Sequence, residues 1–127
     1  MNMERWIIPC NIKYYDVENA FARLKCLNWK QSNKSIEVGD EIYIYVGAPI
    51  SAIKYKCRVN KINLCGVEID DSEFILNGEP YEAYGNHMEL ELLKTFNGTD
   101  YALAELRNKG LRGNIQGPRR AKGIVND

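Results

Sequence analysis

The most pointed chemistry in this chain lies in the run Gly39-Asp40-Glu41-Ile42-Tyr43-Ile44-Tyr45-Val46-Gly47-Ala48-Pro49. A Gly-Asp turn opens a segment in which Ile42, Ile44 and Val46 alternate with Tyr43 and Tyr45, the period of a strand. One side is aliphatic and belongs in a core. The other carries two phenol rings, which can stack on a flat ligand or simply cover a sheet. The next run alternates Ile53, Tyr55, Cys57 and Val59 with Lys54, Lys56 and Arg58, so cations stand next to the rings. Rings for stacking beside cations for phosphates suggest a reader of nucleic acid rather than an enzyme.

Other chemistry is thin. Cys10, Cys26, Cys57 and Cys65 form no CxxC pair, and His87 is the single histidine, so the spacing of a zinc site is missing. Cys10 is a nucleophile in principle, but no base accompanies it locally. Cys26 and Cys57 sit in apolar patterns and are expected to be buried thiols. No paired catalytic carboxylates, metal set or activated nucleophile can be assembled from spacing. The expectation is therefore no enzyme activity and no cofactor. His87, beside Asn86 at a strand start, reads as structural. No signal peptide or apolar run of membrane length is visible. That leads to a soluble, cytoplasmic chain with reduced cysteines and no membrane partner.

The chain holds 17 Lys and Arg against 17 Asp and Glu, so its bulk charge names no partner. The distribution says more. Residues 1–65 are basic on balance, 66–105 are strongly acidic, and 106–126 carry Lys and Arg with no acid. If the two basic ends met, they would form a surface for phosphates. The plainer expectation is solvated charge spread over all faces.

The elements that must position these groups follow from pattern. Length is that of one domain, 1–127, large enough for a real core. Arg5-Trp6-Ile7-Ile8-Pro9-Cys10 reads as a first strand closed by proline. Asp16 caps an amphipathic helix over about 16–26, with Val17, Ala20, Phe21, Leu24 and Leu27 on one side. Tyr14 and Tyr15 can act as its hydrophobic staple. Residues 28–35, polar except for Trp29, read as a loop. Strands follow at 41–47 and 52–64. An excursion over 70–85 has room for one short strand ending at Asn77-Gly78. Met88, Leu90 and Leu92 alternate with Glu89 and Glu91 in a strand with one wet face. Thr99 can cap a second helix that stops at Gly110, and Asn114-Ile115-Gln116 reads as a last short strand. The order is α+β, with a strongly curved sheet and helices at its ends.

These segments in this order resemble the PUA-like superfamily, its EVE branch above all, with ASCH and YTH folds as neighbours. The resemblance rests on Trp6-Ile7-Ile8-Pro9-Cys10-Asn11, Trp29-Lys30-Gln31-Ser32 and Val38-Gly39-Asp40-Glu41-Ile42-Tyr43-Ile44-Tyr45, and spans nearly the whole chain. It is nearest to EVE-like modules beside HNH nucleases in modification-dependent restriction proteins, which share the opening and a close like Gln116-Gly117-Pro118-Arg119-Arg120. The loop after Trp29 departs from the EVE pattern, and there is no HNH signature. The resemblance implies a PUA-like pseudo-barrel with two or more flanking helices. It also implies a nucleobase pocket at the barrel mouth, with modified DNA favoured and RNA possible, and any nuclease in a separate protein or domain.

A sensor of base modification must flip the base out or use a single strand. Its pocket needs flat walls, hydrogen-bonding groups for the base edge, and cations for phosphates. Trp29 and Tyr45, with Trp6 less suited, are the candidate walls. Asn11, Gln31 and Ser32 can read an edge, since an amide offers a donor and an acceptor together. Cys10 and Gln116 lie in segments whose backbone can approach a ligand. Lys30, Arg112, Arg119 and Arg120 are the candidate phosphate contacts. Plainer readings stand beside these: Trp6 as core, Tyr43 and Tyr45 as barrel cover, Gln116-Gly117-Pro118 as a turn. The leading expectation is recognition of a modified, flipped base in DNA. The alternatives are an RNA-binding PUA-like protein of translation or RNA modification, or a small-ligand-binding domain.

Overall fold

The structure, a computed structural model, describes residues 3–30, 33–65, 72–74, 86–121 and 123–125. Its elements are β1 (Arg5–Cys10), α1 (Val17–Arg23), β2 (Cys26–Lys30), β3 (Glu41–Val46), β4 (Ala52–Cys65), β5 (Asn86–Thr95), α2 (Leu103–Asn108) and β6 (Arg119–Arg120), with a 3-10 turn at Ser72–Phe74. The strands form one open sheet in the order β2-β5-β4-β3-β1-β6. β1 and β3 run parallel and the other pairs antiparallel. A parallel pair needs a crossover, and α1 with β2 supplies it. Register shifts between Ile44 and Tyr45, and at three places along β4, bend the sheet into the α+β pseudo-barrel expected from the sequence.

Both faces of the sheet are covered. One carries Trp6, Ile8, Ile42, Ile44, Cys57, Val59, Leu90 and the apolar side of α1. The other carries Ile7, Tyr43, Tyr45 and Ile53 beneath Leu106, Leu111 and Val125. Tyr43 is therefore wholly buried and cannot line a cavity, while Tyr45 sits at the rim of its cluster.

The Gly-Asp turn has a structural purpose. Gly39 takes φ +94°, a region where a side chain is strained. That places the Asp40 carboxylate in the interior, where it accepts three N–H donors. Trp6 Nε1 donates at 3.0 Å, the Glu37 amide at 3.0 Å and the Glu4 amide at 3.1 Å. One buried acid thereby ties the start of β1 to the start of β3.

Four expectations change. Residues 28–30 are not loop. They belong to β2, which pairs with β5 so that Trp29 lies opposite Met88. Helix α1 ends at Arg23, because Leu24 is already extended, and Leu27 is buried from a strand. The last strand is Arg119–Arg120 on the edge of β1, not 114–116. Asp16 does cap α1, accepting from the Asn19 amide. Helix α2 is shorter than expected and begins at Leu103 without a side-chain cap. It ends at Gly110 as expected: the Gly110 amide donates to Arg107 O and the Leu111 amide to Leu106 O, a Schellman motif. The short strand expected to end at Asn77-Gly78 lies outside the described residues.

The segregated charge of the sequence is paired in space. Arg58 meets Glu91 at 2.9 Å, Lys25 meets Glu91 at 3.3 Å, and Lys61 meets Glu89 at 3.7 Å. Lys56 and Arg5 both meet Glu41. The acidic middle thus pairs with Arg58 and Lys61 of β4, and Glu41 with Lys56, so these three bases are engaged by carboxylates rather than left for phosphates. Hydrogen bonds from Arg58, Asn60 and Lys25, in that order, hold the Glu91 carboxyl below its usual range.

Candidate nucleic-acid interface

Consecutive residues of a strand point to opposite faces, and at the end of β3 this separates two clefts. Tyr45 lines one and Val46 the other. The Tyr45 cleft encloses about 550 Å3 where the parallel strands β1 and β3 end. Pairing of Pro9 with Tyr45, and the Gly47 amide donating to Cys10 O at 3.0 Å, hold the two strand ends together. Beyond them Asn11 makes a turn, its carbonyl accepting from Tyr14 and Tyr15 and its Oδ1 from the Lys13 amide at 2.9 Å. That leaves the Asn11 Nδ2 donor turned to no described residue. The segment after α2 brings Ile115 and Gln116 over the other side.

Four of the seven residues expected in a base pocket thus meet in one cleft: Cys10, Asn11, Tyr45 and Gln116. They come from three separate segments. Lys13 and Ile115 also line it and were not singled out from the sequence, although each neighbours a residue that was. Tyr45 offers an aromatic surface, the amides offer edge contacts, and Lys13 adds a positive charge. Burial pushes the Cys10 thiol up to about 12, so it is a neutral wall rather than a nucleophile near pH 7.

The remaining candidates fall elsewhere. Trp29 is 7% exposed, packs edge-on against Tyr15 at 5.7 Å and lines neither cleft. It is a core residue, because the expected loop is a strand whose side chain turns inward. Trp6 is core, as its apolar strand suggested. Lys30 ends β2, opposite His87. Gln31 and Ser32 lie outside the described residues.

Arg119 and Arg120 part company. Arg119 stands opposite Ile7 and Arg120 opposite Trp6, so they point to opposite faces. The Arg120 guanidinium lies 4.7 Å from the centre of the Trp6 ring and 3.5 Å from Glu4. Arg119 Nη1 donates to Arg112 O at 2.8 Å and lies on the face of Tyr45. The exposed Arg112 side chain has no ion-pair partner among the described residues. Arg119 is thus tied to the backbone at Arg112, and Arg120 is held on the other face.

The Val46 cleft encloses about 560 Å3 between α1 and the ends of β4 and β5. Phe21 and Tyr55, their ring centres 4.9 Å apart and tilted by 46°, make an angled aromatic wall. Asp16 and Glu18 stand at its α1 edge and Lys54 at the opposite rim. Burial chiefly, then the charge of Glu18, pushes the Tyr55 phenol up to about 12. No motif pointed to this cleft, since its residues read as one side of a helix and one side of a strand.

A chain of this topology superposes on solved structures along nearly its whole length. The ASCH protein of Zymomonas mobilis matches with TM-score 0.63 at 9% identity, over 94% of this chain and 88% of that one. The fold is PUA-like, of the ASCH kind. A Pseudomonas putida protein matches with TM-score 0.55 at 17% identity, covering 84% of this chain and 78% of its own. Rpa0253 from Rhodopseudomonas palustris follows with TM-score 0.53 at 10% identity, covering 85% and 72%. No family model matches the chain, and no curated protein does. At such identities the likeness is one of fold alone. It supports the PUA-like reading, and EVE-like membership in particular gains nothing from it.

Proposed function

We propose that this PUA-like chain binds single-stranded nucleic acid, RNA before DNA, by taking one unpaired base into the Tyr45 cleft. The observation that carries the reading is the convergence of Tyr45, Asn11 and Gln116 from three segments on one open cavity. A ring for stacking and two amides for a base edge are the groups such recognition needs. Arg119, on the face of Tyr45, and the exposed Arg112 whose carbonyl it binds are the phosphate contacts of this reading. RNA is placed first because the neighbour that carries a family name, the Zymomonas mobilis protein, is an ASCH protein rather than a restriction-associated EVE-like module. The role is binding rather than chemistry, in keeping with the neutral Cys10 thiol.

Anisotropy titrations with one sequence, offered as single-stranded RNA, as single-stranded DNA and as DNA carrying methylated cytosine, test the ligand class. The expected order is RNA tightest. Tightest binding to the methylated DNA would return the reading to a modified-DNA sensor with a nuclease partner, and failure of all three would refute a nucleic-acid role.

A further inference from the structure

The Val46 cleft is separate from the proposed base pocket, since the two share no lining residue. Its chemistry is also different. Phe21 and Tyr55 give an aromatic wall, and Phe96 closes part of the far side. Two carboxylates, Asp16 and Glu18, face one ammonium, Lys54, so the lining carries a net negative charge. The Asp16 carboxylate is engaged by the Asn19 amide and side chain, and Lys54 Nζ reaches Gly98 O at 3.4 Å. Glu18 is exposed and makes no hydrogen bond or ion pair with a described residue.

Tyr55 supplies the second, independent sign. The residue is only 7% exposed and lines the cavity, and its hydroxyl makes no hydrogen bond to any described residue. That hydroxyl is not among the buried unpaired polar atoms of the described residues, so the ring is buried while its polar tip stays accessible. A ligand in the cleft can therefore meet both.

We propose that the Val46 cleft binds a small flat organic cation, a ring bearing an amidinium, a protonated amine or a fixed positive charge. The ring lies against Phe21 and Tyr55, whose faces attract positive charge. The cationic end is held by Glu18, and a polar atom on the ring takes the Tyr55 hydroxyl. The negative side chains select a cation over a neutral ring of the same shape.

Benzamidinium and benzamide make the direct test, being similar in shape and different in charge. Proton NMR titration of the aromatic side chains reports binding at Phe21 and Tyr55. Benzamidinium should shift these signals saturably and bind about tenfold more tightly than benzamide, the size expected of one cation–π contact and one exposed ion pair. Glu18→Gln should remove most of that preference while leaving benzamide unchanged. Glu18 is exposed and has no described partner to lose, so the variant should fold as the parent does. Tyr55→Phe keeps the wall, and since neither probe carries a polar ring atom it should leave the preference for benzamidinium in place. Equal binding of the two probes, a Glu18→Gln variant that keeps the preference, or shifts confined to residues outside the cleft would each overturn the proposal.

Discussion

The two faces of the sheet end in clefts of nearly equal volume and unlike chemistry. Beneath α1 the cleft is aromatic and anionic, with Phe21, Tyr55, Asp16 and Glu18. On the other face it is lined by amides and a lysine, with Asn11, Gln116 and Lys13 around Tyr45. The alternation of side chains along β3 makes both possible from adjacent residues. A strand covered on both faces can serve two sites without either disturbing the other. The cost is that both of its faces must also serve as core.

Removing a core aromatic from either face is the harshest test of that equivalence. Trp29→Ala on the α1 face and Tyr43→Ala on the other should each lower stability by about 3–5 kcal/mol. Thermal or urea unfolding measures it. A Tyr43→Ala variant that melts like the parent would mean that the second face is not core.

Next in size is Asp40, which joins the start of β1 to the start of β3, at the opposite end of the pair from the clefts. Asp40→Asn turns an NH2 group toward N–H donors that now meet a carboxylate. The expected loss is about 2 kcal/mol in urea unfolding. An unchanged midpoint would show that the Asp40 network is not what holds the strand starts together.

The arginines sharpen the comparison at the level of function. Arg119 shares a face with Tyr45, whereas Arg120 is held against Trp6 and Glu4 on the other. Arg119→Gln should lower the log–log salt slope of nucleic-acid binding by about one, and Arg120→Gln should leave it alone. Equal effects would show that the two still act as one clamp.

The smallest effect belongs to the charge ladder on the Tyr43 face. The Glu91 carboxyl titrates lower in the folded chain than in the unfolded one, chiefly through Arg58. Its contribution is therefore present above the ordinary carboxylate range and lost as pH falls through the lowered folded value. Glu91→Gln should be less stable than the parent at pH 7, by a small margin because its partners Arg58 and Lys25 are largely open to solvent. The gap should close in acid, as followed by urea unfolding across pH. A gap that widened in acid would reverse the sign.

What was legible from the sequence follows the reach of each signal. β1, β3 and β4 alternate over enough residues to be read locally, and Gly110 marks a helix end by its own backbone needs. β2 was missed because Asn28 and Lys30 make it polar. Its partner β5 lies far along the chain, so only tertiary pairing reveals it. The same distance hid the true place of Trp29. Much of the Tyr45 cleft was legible, since Cys10, Asn11, Tyr45 and Gln116 each stand beside a turn or strand end. The Val46 cleft was not, because Phe21, Tyr55 and Glu18 look like ordinary amphipathic residues until α1 is laid across the sheet. Arg119 and Arg120 looked like one group because neighbours in sequence are divided only once a strand forms.

The central claim is that the Tyr45 cleft holds a base, and Gln116 is the residue through which to test it. Its side chain is exposed and has no described partner, so Gln116→Ala should melt with the parent. Single-stranded RNA titrated against both proteins, by anisotropy at one salt concentration, gives the answer. Loss of one base-edge contact should weaken binding by about 1 kcal/mol, roughly fivefold. Equal affinity of the two proteins for RNA would contradict the placement of the base in this cleft.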